Sequence, residues 1–336
     1  MGALLRLLAL LAVVGSIATA VAAVTASKWL KAPSPVALTF EVPAGASVAR
    51  VARSLESREV IPNAALMRWY AVFTGDAARI QAGEYAIRKG DTVATIVDRM
   101  VRGDTLTYSV TLIEGRTFKQ FRSALAAEAE LQHKTTEWTD AEIMSALGRA
   151  DEHPEGWFFP DTYVYRRGES DLDILKRSAA AMRAELDRVW ALREADLPYK
   201  GPYDALIMAS IVEKETGAAH ERPRIAGVFV RRLRKNMLLQ TDPTVIYGMG
   251  ERFDGNIRRK DLREDTPYNT YVHKGLTPTP IANPGTAALV AAVNPLPGKA
   301  LFFVSKGDGT HQFSETYAEH KRAVERYQLA PRRKRK

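Results

Sequence analysis

Glu213 and Glu215 stand at the end of an apolar run, Ile207-Met208-Ala209-Ser210-Ile211-Val212-Glu213-Lys214-Glu215-Thr216. The run from Pro202 to Thr216 reads as one helix, with Leu206, Ile207, Ile211 and Val212 as its buried surface and Gly217 as a terminator past its end. Carboxylates two positions apart on a helix point about 200° away from each other. They cannot work as a pair on one bond, so one faces a cleft and the other is structural or solvated. Glu215 continues the stripe Met208, Ile211, Val212, whereas Glu213 falls with Leu206, Ala209 and Ser210. A carboxyl at the end of an apolar stripe loses hydration and its pKa rises, which suits a general acid working near neutrality. The plain alternative is a solvated glutamate, or one paired with Arg224 or Arg231. On this reading Glu215 is the catalytic candidate, Glu213 a supporting residue, and Lys214 points to solvent.

Two polar clusters follow. A helix over Arg224–Arg234 leads into Met237-Leu238-Leu239-Gln240-Thr241-Asp242-Pro243-Thr244-Val245-Ile246-Tyr247-Gly248, and further on comes Thr266-Pro267-Tyr268-Asn269-Thr270-Tyr271. Asp242-Pro243 disfavours helix at Asp242 and predicts a rigid turn. Amide, hydroxyl and carboxyl groups on tight turns suit sugar hydroxyls and acetamides. Gln240, Thr241, Asp242, Thr244, Tyr268 and Asn269 are the candidate substrate contacts, and Tyr247 reads as core. Upstream, Glu155-Gly156-Trp157-Phe158-Phe159-Pro160-Asp161-Thr162-Tyr163-Val164-Tyr165 holds five aromatics in eleven residues, either a sugar-stacking wall or ordinary core.

The rest of the chain must position these groups. Leu7 to Ala26 carries no charge over 20 residues, long enough for a helix to cross about 30 Å of hydrocarbon. An uncleaved anchor is the expectation; a cleavable signal segment is the alternative, since small-residue runs lie at 18–20 and 23–26. Either sends the body across the membrane. From Leu38 a strand, a glycine turn, a Ser/Thr cap and an amphipathic helix recur, at Val42–Val51, at Ile87–Ile96 and in a third copy from Ile113. Such units resemble LysM-type wall-binding modules, though a small α+β unit packing on the next domain has the same pattern. Helices are expected over Phe121–Leu131, Asp140–Leu147 and Leu172–Leu192.

The 336 residues contain no cysteine, which removes disulfides, thiolate nucleophiles and Cys-based zinc sites together. Net charge is +9, five of it in Arg332-Arg333-Lys334-Arg335-Lys336, so the basicity is largely a tail. Nucleic-acid binding would rest on that tail alone and is not expected. Six histidines, at 133, 153, 220, 273, 311 and 320, are scattered and contain no His-Glu-x-x-His segment, which argues against a metal-dependent amidase. His311 reads as a structural hydrogen-bonder.

Taken together, Ala209–Thr216, Val228–Leu233, Met237–Gly250 and Tyr268–Tyr271 resemble the YceG-like endolytic murein transglycosylase family. Further matching segments are Gly156–Thr162, Pro280-Ile281-Ala282-Asn283-Pro284-Gly285, Phe302-Phe303-Val304 and Gly309–Phe313. The resemblance covers most of the chain. Leu276-Thr277-Pro278 stands where Leu-Pro-Pro is common, which touches only a loop. The resemblance implies a single-pass protein of the cytoplasmic (inner) membrane, its amino terminus cytoplasmic and its body outside. It implies cleavage of nascent peptidoglycan glycan strands within the strand, leaving 1,6-anhydro-N-acetylmuramic ends. It also implies that the second glutamate of Glu-Lys-Glu-Thr, Glu215, is catalytic. No cofactor or metal is expected; peptidoglycan strands, the membrane and, as a further candidate, a peptidoglycan synthase are the partners. The expected fold class is α+β: an anchor with flanks at 1–31, a spacer at 32–37, a small LysM-like α+β subdomain at 38–108, a mixed α+β catalytic domain at 109–330 and the basic tail at 331–336. A non-catalytic wall-binding scaffold is the rival reading, with Glu-Lys-Glu as surface charge.

Overall fold

Hydropathy decides the first element. In the computed structural model, which describes residues 2–330, helix α1 runs over Gly2–Leu30. Its stretch Leu8–Leu30, 23 residues, is long and apolar enough to cross a membrane. Leu8, Leu11, Val14, Ile17 and Val21 are all exposed along it. The basic run at 332–336 lies outside the described residues.

The chain separates into two compact units, the first of residues up to 108, α1 included, joined by 164–168, the other of 109–163 and 169 onward. The first holds β1 (Leu38–Val42), α2 (Val48–Ser57), α3 (Ala64–Phe73), β2 (Gly83–Ile87) and α4 (Val93–Arg102). β1 and β2 pair antiparallel, Phe40 opposite Tyr85. Phe40, Val51, Leu55, Met67, Tyr85, Ile96 and Met100 form the core beneath them. The recurring turn is the reason the helices start where they do. Gly45 and Gly90 adopt φ of 72° and 95°, a left-handed turn that favours glycine. Two residues on, Ser47 and Thr92 accept hydrogen bonds from the amides of Arg50 and Thr95. Each such cap is worth about 1 kcal/mol. The expected spacer at 32–37 is pinned to this unit: Ser34 is buried, its amide donates to Asp91 O at 2.7 Å, and its carbonyl accepts from Gly90 N at 2.9 Å.

The third copy of the turn opens the second unit. After β3 (Tyr108–Thr111), Gly115 has φ 74° and Thr117 caps α5 (Phe118–Ala126), which begins earlier than its apolar spacing predicts because the cap sets the start. Next come α6 (Asp140–Ala146), β4 (Thr162–Tyr165), α7 (Asp171–Ala191), α8 (Pro202–Glu215), α9 (Arg222–Arg234), α10 (Asp242–Met249), α11 (Thr286–Val293), β5 (Phe302–Ser305), β6 (His311–Ser314) and α12 (Tyr317–Val324). Among the described residues the strands make three two-stranded sheets, β1–β2, β3–β4 and β5–β6, so the fold is α+β with helices dominant.

α8 is the centre of this unit. It packs against α7, α9, α10 and α11, and every residue from Ala205 to Glu213 is buried. Five large apolar side chains, Leu206, Ile207, Met208, Ile211 and Val212, contribute roughly 10 kcal/mol of burial. A helix apolar on all sides belongs in a core, so the two-face argument for its glutamates gives way: both carboxylates lose water. The helix ends without a left-handed glycine. Thr216 is extended at φ −146° and its hydroxyl accepts from Ala218 N, while Gly217 stays outside the left-handed region.

The aromatic run 157–165 is core. Phe158, Tyr165, Trp157 and Tyr163 are all buried, with Phe158 stacked on Phe118 at 4.6 Å. Rings packed on rings leave no face for a sugar, which corrects the stacking-wall alternative. Gly156 turns the chain into this segment at φ 86°, where a Cβ would stand 2.5 Å from Pro280 Cγ.

Candidate active site

The last turn of α8 carries both glutamates, and α9 folds back beside it. Glu213 meets an arginine, Arg222, rather than either arginine the sequence suggested. Arg222 Nη2 donates to Glu213 Oε1 at 2.9 Å, and Gly285 N donates to Oε2 at 3.0 Å. Burial raises the Glu213 pKa, with Gly285 and Arg222 pulling the other way. This buried pair ties the end of α8 to the first turn of α9 and the start of α11. Arg224 instead covers Phe313, and Arg231 donates to the carbonyls of Ala300 and Leu296. Lys214 is exposed and donates to Gly115 O at 3.1 Å.

Glu215 opens into a cleft of about 400 Å³, lined by Arg232, Gln240, Asp242, Tyr271, Phe302 and His320 among others. Part of its side chain borders the cleft, yet protein packs round the carboxylate, and this desolvation pushes its pKa up to about 7. The Thr241 hydroxyl donates to Glu215 Oε1 and Arg232 is near; both favour the ionised form, while the charge of Asp242 opposes it. With Oε1 accepting, a proton on the acid sits on Oε2.

The 240–244 segment is a helix start rather than a free turn. Pro243 lies in the first turn of α10, where its missing N–H costs nothing. Thr241 holds the N-cap position; its amide donates to Thr270 Oγ1 at 3.1 Å, and Gln240 N donates to Thr270 O at 3.1 Å. Gln240 is exposed at φ 54°, a non-glycine residue held left-handed beside the carboxylate. Asp242 is exposed and accepts from the Tyr271 hydroxyl at 2.6 Å.

Not every candidate lines the cleft. Thr244 is fully buried, donating to Thr241 O at 2.8 Å and pairing with Thr270 Oγ1 at 2.9 Å. Asn269 is buried too: Nδ2 donates to Asp261 O and Glu264 O, and Oδ1 accepts from Tyr271 N. Their polar atoms are already taken, so their expected place as sugar contacts is corrected to a supporting one beneath Thr241 and Tyr271. Tyr268 lies outside the cleft lining, with its hydroxyl on Thr279 and its ring edge-on to Tyr247 at 4.9 Å.

Sequence reasoning passed over several lining residues. Arg232 is buried, donating from Nε to Leu301 O at 2.7 Å and from Nη1 to Leu239 O at 2.9 Å, with its guanidinium over Phe302. His320 stacks on Phe302 at 5.3 Å, and Tyr317, 68% exposed, completes an aromatic rim. Arg232 and Tyr271 stood inside quoted segments; Tyr317 and His320 reach the cleft only because α12 folds back on β5. Another buried carboxyl, away from the cleft, was also missed. Glu155 accepts from Phe118 N at 2.8 Å and from the Tyr247 hydroxyl at 3.1 Å, and burial pushes its pKa up to about 7. His311, as expected, makes a structural contact, Nδ1 to Glu221 Oε2 at 2.7 Å. Among the described residues no three of His, Asp or Glu gather as metal ligands would.

Comparison with known proteins places this geometry in context. An endolytic murein transglycosylase of Bacillus subtilis (strain 168) is 32% identical over 312 residues, covering 88% of this chain and 86% of that protein. One from Streptococcus pneumoniae is 25% identical over 321 residues, covering 85% of this chain and 58% of its own length. The crystal structure of a YceG-like protein from Listeria monocytogenes matches with a TM-score of 0.53 at 31% identity, covering 86% of this chain and 99% of that one. The profile of the YceG-like family matches residues 40–326, and the chain belongs to that family.

Proposed function

We propose that this chain is a membrane-anchored lytic transglycosylase that cleaves peptidoglycan glycan strands within the strand. The observation that carries the reading is Glu215: one desolvated carboxyl, near neutral in pKa, held by Thr241 at the edge of a polar and aromatic cleft. The names of its relatives agree with it.

Glu215 protonates the oxygen of the β-1,4 bond between N-acetylmuramic acid and N-acetylglucosamine from Oε2. The C1–O bond breaks and the N-acetylglucosamine end leaves as an alcohol. The carboxylate then takes the proton of the muramic C6 hydroxyl as O6 closes on C1. The product ends in 1,6-anhydro-N-acetylmuramic acid, Glu215 regains its proton, and no water is consumed. One carboxylate suffices because the nucleophile is tethered in the substrate. A pKa about 7 lets the same group give and take a proton at neutral pH. Asp242, Gln240 and Tyr271 are the proposed polar contacts, with Phe302, His320 and Tyr317 as the face a pyranose packs on; Tyr268 and Asn269 act through Tyr271 and Tyr247.

The chain is read as single-pass in the cytoplasmic membrane, amino terminus inside and both units outside, with the first unit a LysM-like wall-binding subdomain and residues 109–330 catalytic. Cutting nascent strands there would end their elongation, and a peptidoglycan synthase is a fitting partner. Asp242 in the same cleft favours one second reading, a hydrolase using two carboxylates. The test is Glu215→Gln on purified wall. Loss of anhydro-muropeptide release supports the reading. Full release would refute it, and binding without cleavage by the unaltered protein would leave the scaffold alternative.

A further inference from the structure

The sequence of α3, Ala64-Ala65-Leu66-Met67-Arg68-Trp69-Tyr70-Ala71-Val72-Phe73, is apolar on both sides. Ala64, Met67 and Ala71 pack into the core of the first unit. The opposite stripe, about 100° wide at helical spacing, consists of Ala65, Trp69, Val72 and Phe73. Trp69 is 70% exposed, Val72 53% and Phe73 92%. A helix with apolar residues all round is stable only when both sides are covered, and a Trp and a Phe side by side on a surface mark an interaction site.

The neighbour of α3 says what covers it. α3 packs against α1, the apolar helix. Ala26 and Leu30, one turn apart at the end of α1, are partly covered, and Leu30 packs on the core of the first unit. The connection that follows is fixed rather than loose, through Ser34 and its bonds to Asp91 and Gly90. The exposed stripe of α3 is therefore held beside the end of the apolar span. That is the depth at which acyl chains give way to headgroups, and where aromatic side chains are favoured. Trp29, 40% exposed, lies at the same end of α1. Lys28, Lys31 and Arg68 are exposed as well, cations suited to anionic headgroups.

We propose that the outer face of α3 seats in the headgroup–acyl boundary of the membrane that α1 crosses, so that the first unit rests on the lipid surface. This rests on the reading of α1 as an anchor. The occupant is lipid rather than a second protein because the face lies on a helix packed against the apolar helix read as the membrane anchor.

The test uses the full chain in phosphatidylcholine–phosphatidylglycerol vesicles whose acyl chains carry bromine near the headgroup, which quenches tryptophan on contact. Trp29→Phe and Trp69→Phe, compared with the unaltered chain, give the contribution of each ring. Circular dichroism checks that both variants fold. The proposal predicts that the Trp69 contribution is lost in bromolipid to the same extent as that of Trp29. Quenching of Trp29 with Trp69 untouched would overturn the proposal and leave the anchor standing. Failure of both would overturn the anchor reading and the proposal with it. A Trp69 emission that ignores bromolipid but shifts with protein-to-lipid ratio would assign the face to a second copy, which also overturns it.

Discussion

Thr241→Val removes the one hydroxyl that donates to Glu215 while keeping the buried volume of the side chain. A hydrogen bond to a charged acceptor is worth about 1.5–3 kcal/mol, against about 1 for a neutral one. The difference, about 0.5–2 kcal/mol, corresponds to about one pH unit, since each unit is about 1.4 kcal/mol. The sign follows from what the bond favours. It stabilises the carboxylate, so without it the Glu215 pKa rises further above about 7. A general acid works protonated, so activity holds below its pKa and fades above it. The alkaline limb of kcat/KM against pH on soluble glycan strands should therefore move up by about one pH unit. Asp242→Asn removes a like charge and should move the same limb down, by less, because Asp242 is exposed and screened. Opposite displacements from two neighbours 241 and 242 are hard to obtain from misfolding. An unmoved limb in both, or a downward move in Thr241→Val, would refute the role given to Glu215.

Stability should report Glu155. Its folded pKa is raised, so its contribution is full below about 4.5 and is lost as pH rises to about 7. Glu155→Gln should be more stable than the unaltered chain at pH 8, by about 3 kcal/mol, and the gap should close below about pH 4.5 in urea unfolding. Arg222→Met leaves Glu213 buried and unpaired and should cost about 3–5 kcal/mol, much of it regained in the double variant with Glu213→Gln. Gly156→Ala forces a Cβ to 2.5 Å from Pro280 Cγ in a left-handed residue and should cost about 1–3 kcal/mol of stability, read as a lower Tm.

How much of this was legible in the sequence depended on range. The caps were legible because Ser47, Thr92 and Thr117 each act on an amide three residues away. The start of α8 was legible from Pro202, whose missing N–H suits a first helical turn, whereas its end is set by the extended Thr216 rather than by the expected glycine. The face argument for Glu215 failed as reasoning, because α8 is enclosed on every side and both carboxyls are desolvated. What distinguishes the two is what they meet: an arginine and an amide for Glu213, a hydroxyl and an open cleft for Glu215. Those partners lie far away in sequence, and no periodicity reports them. Thr244 and Asn269 share the composition of sugar-binding residues, yet their polar atoms are spent on the backbone of their own loops. Tyr317 and His320 carried no signal, because only the fold of α12 brings them to Phe302.

The central claim is that the bond is broken by an internal hydroxyl rather than by water. Digestion of purified glycan strands in ¹⁸O-labelled water, read by mass spectrometry of the new ends, tests it directly. Closure by the C6 hydroxyl gives anhydro ends, lighter by one water and free of label, produced by the unaltered chain and absent with Glu215→Gln. Reducing ends carrying ¹⁸O would contradict it and assign the cleft to a hydrolase.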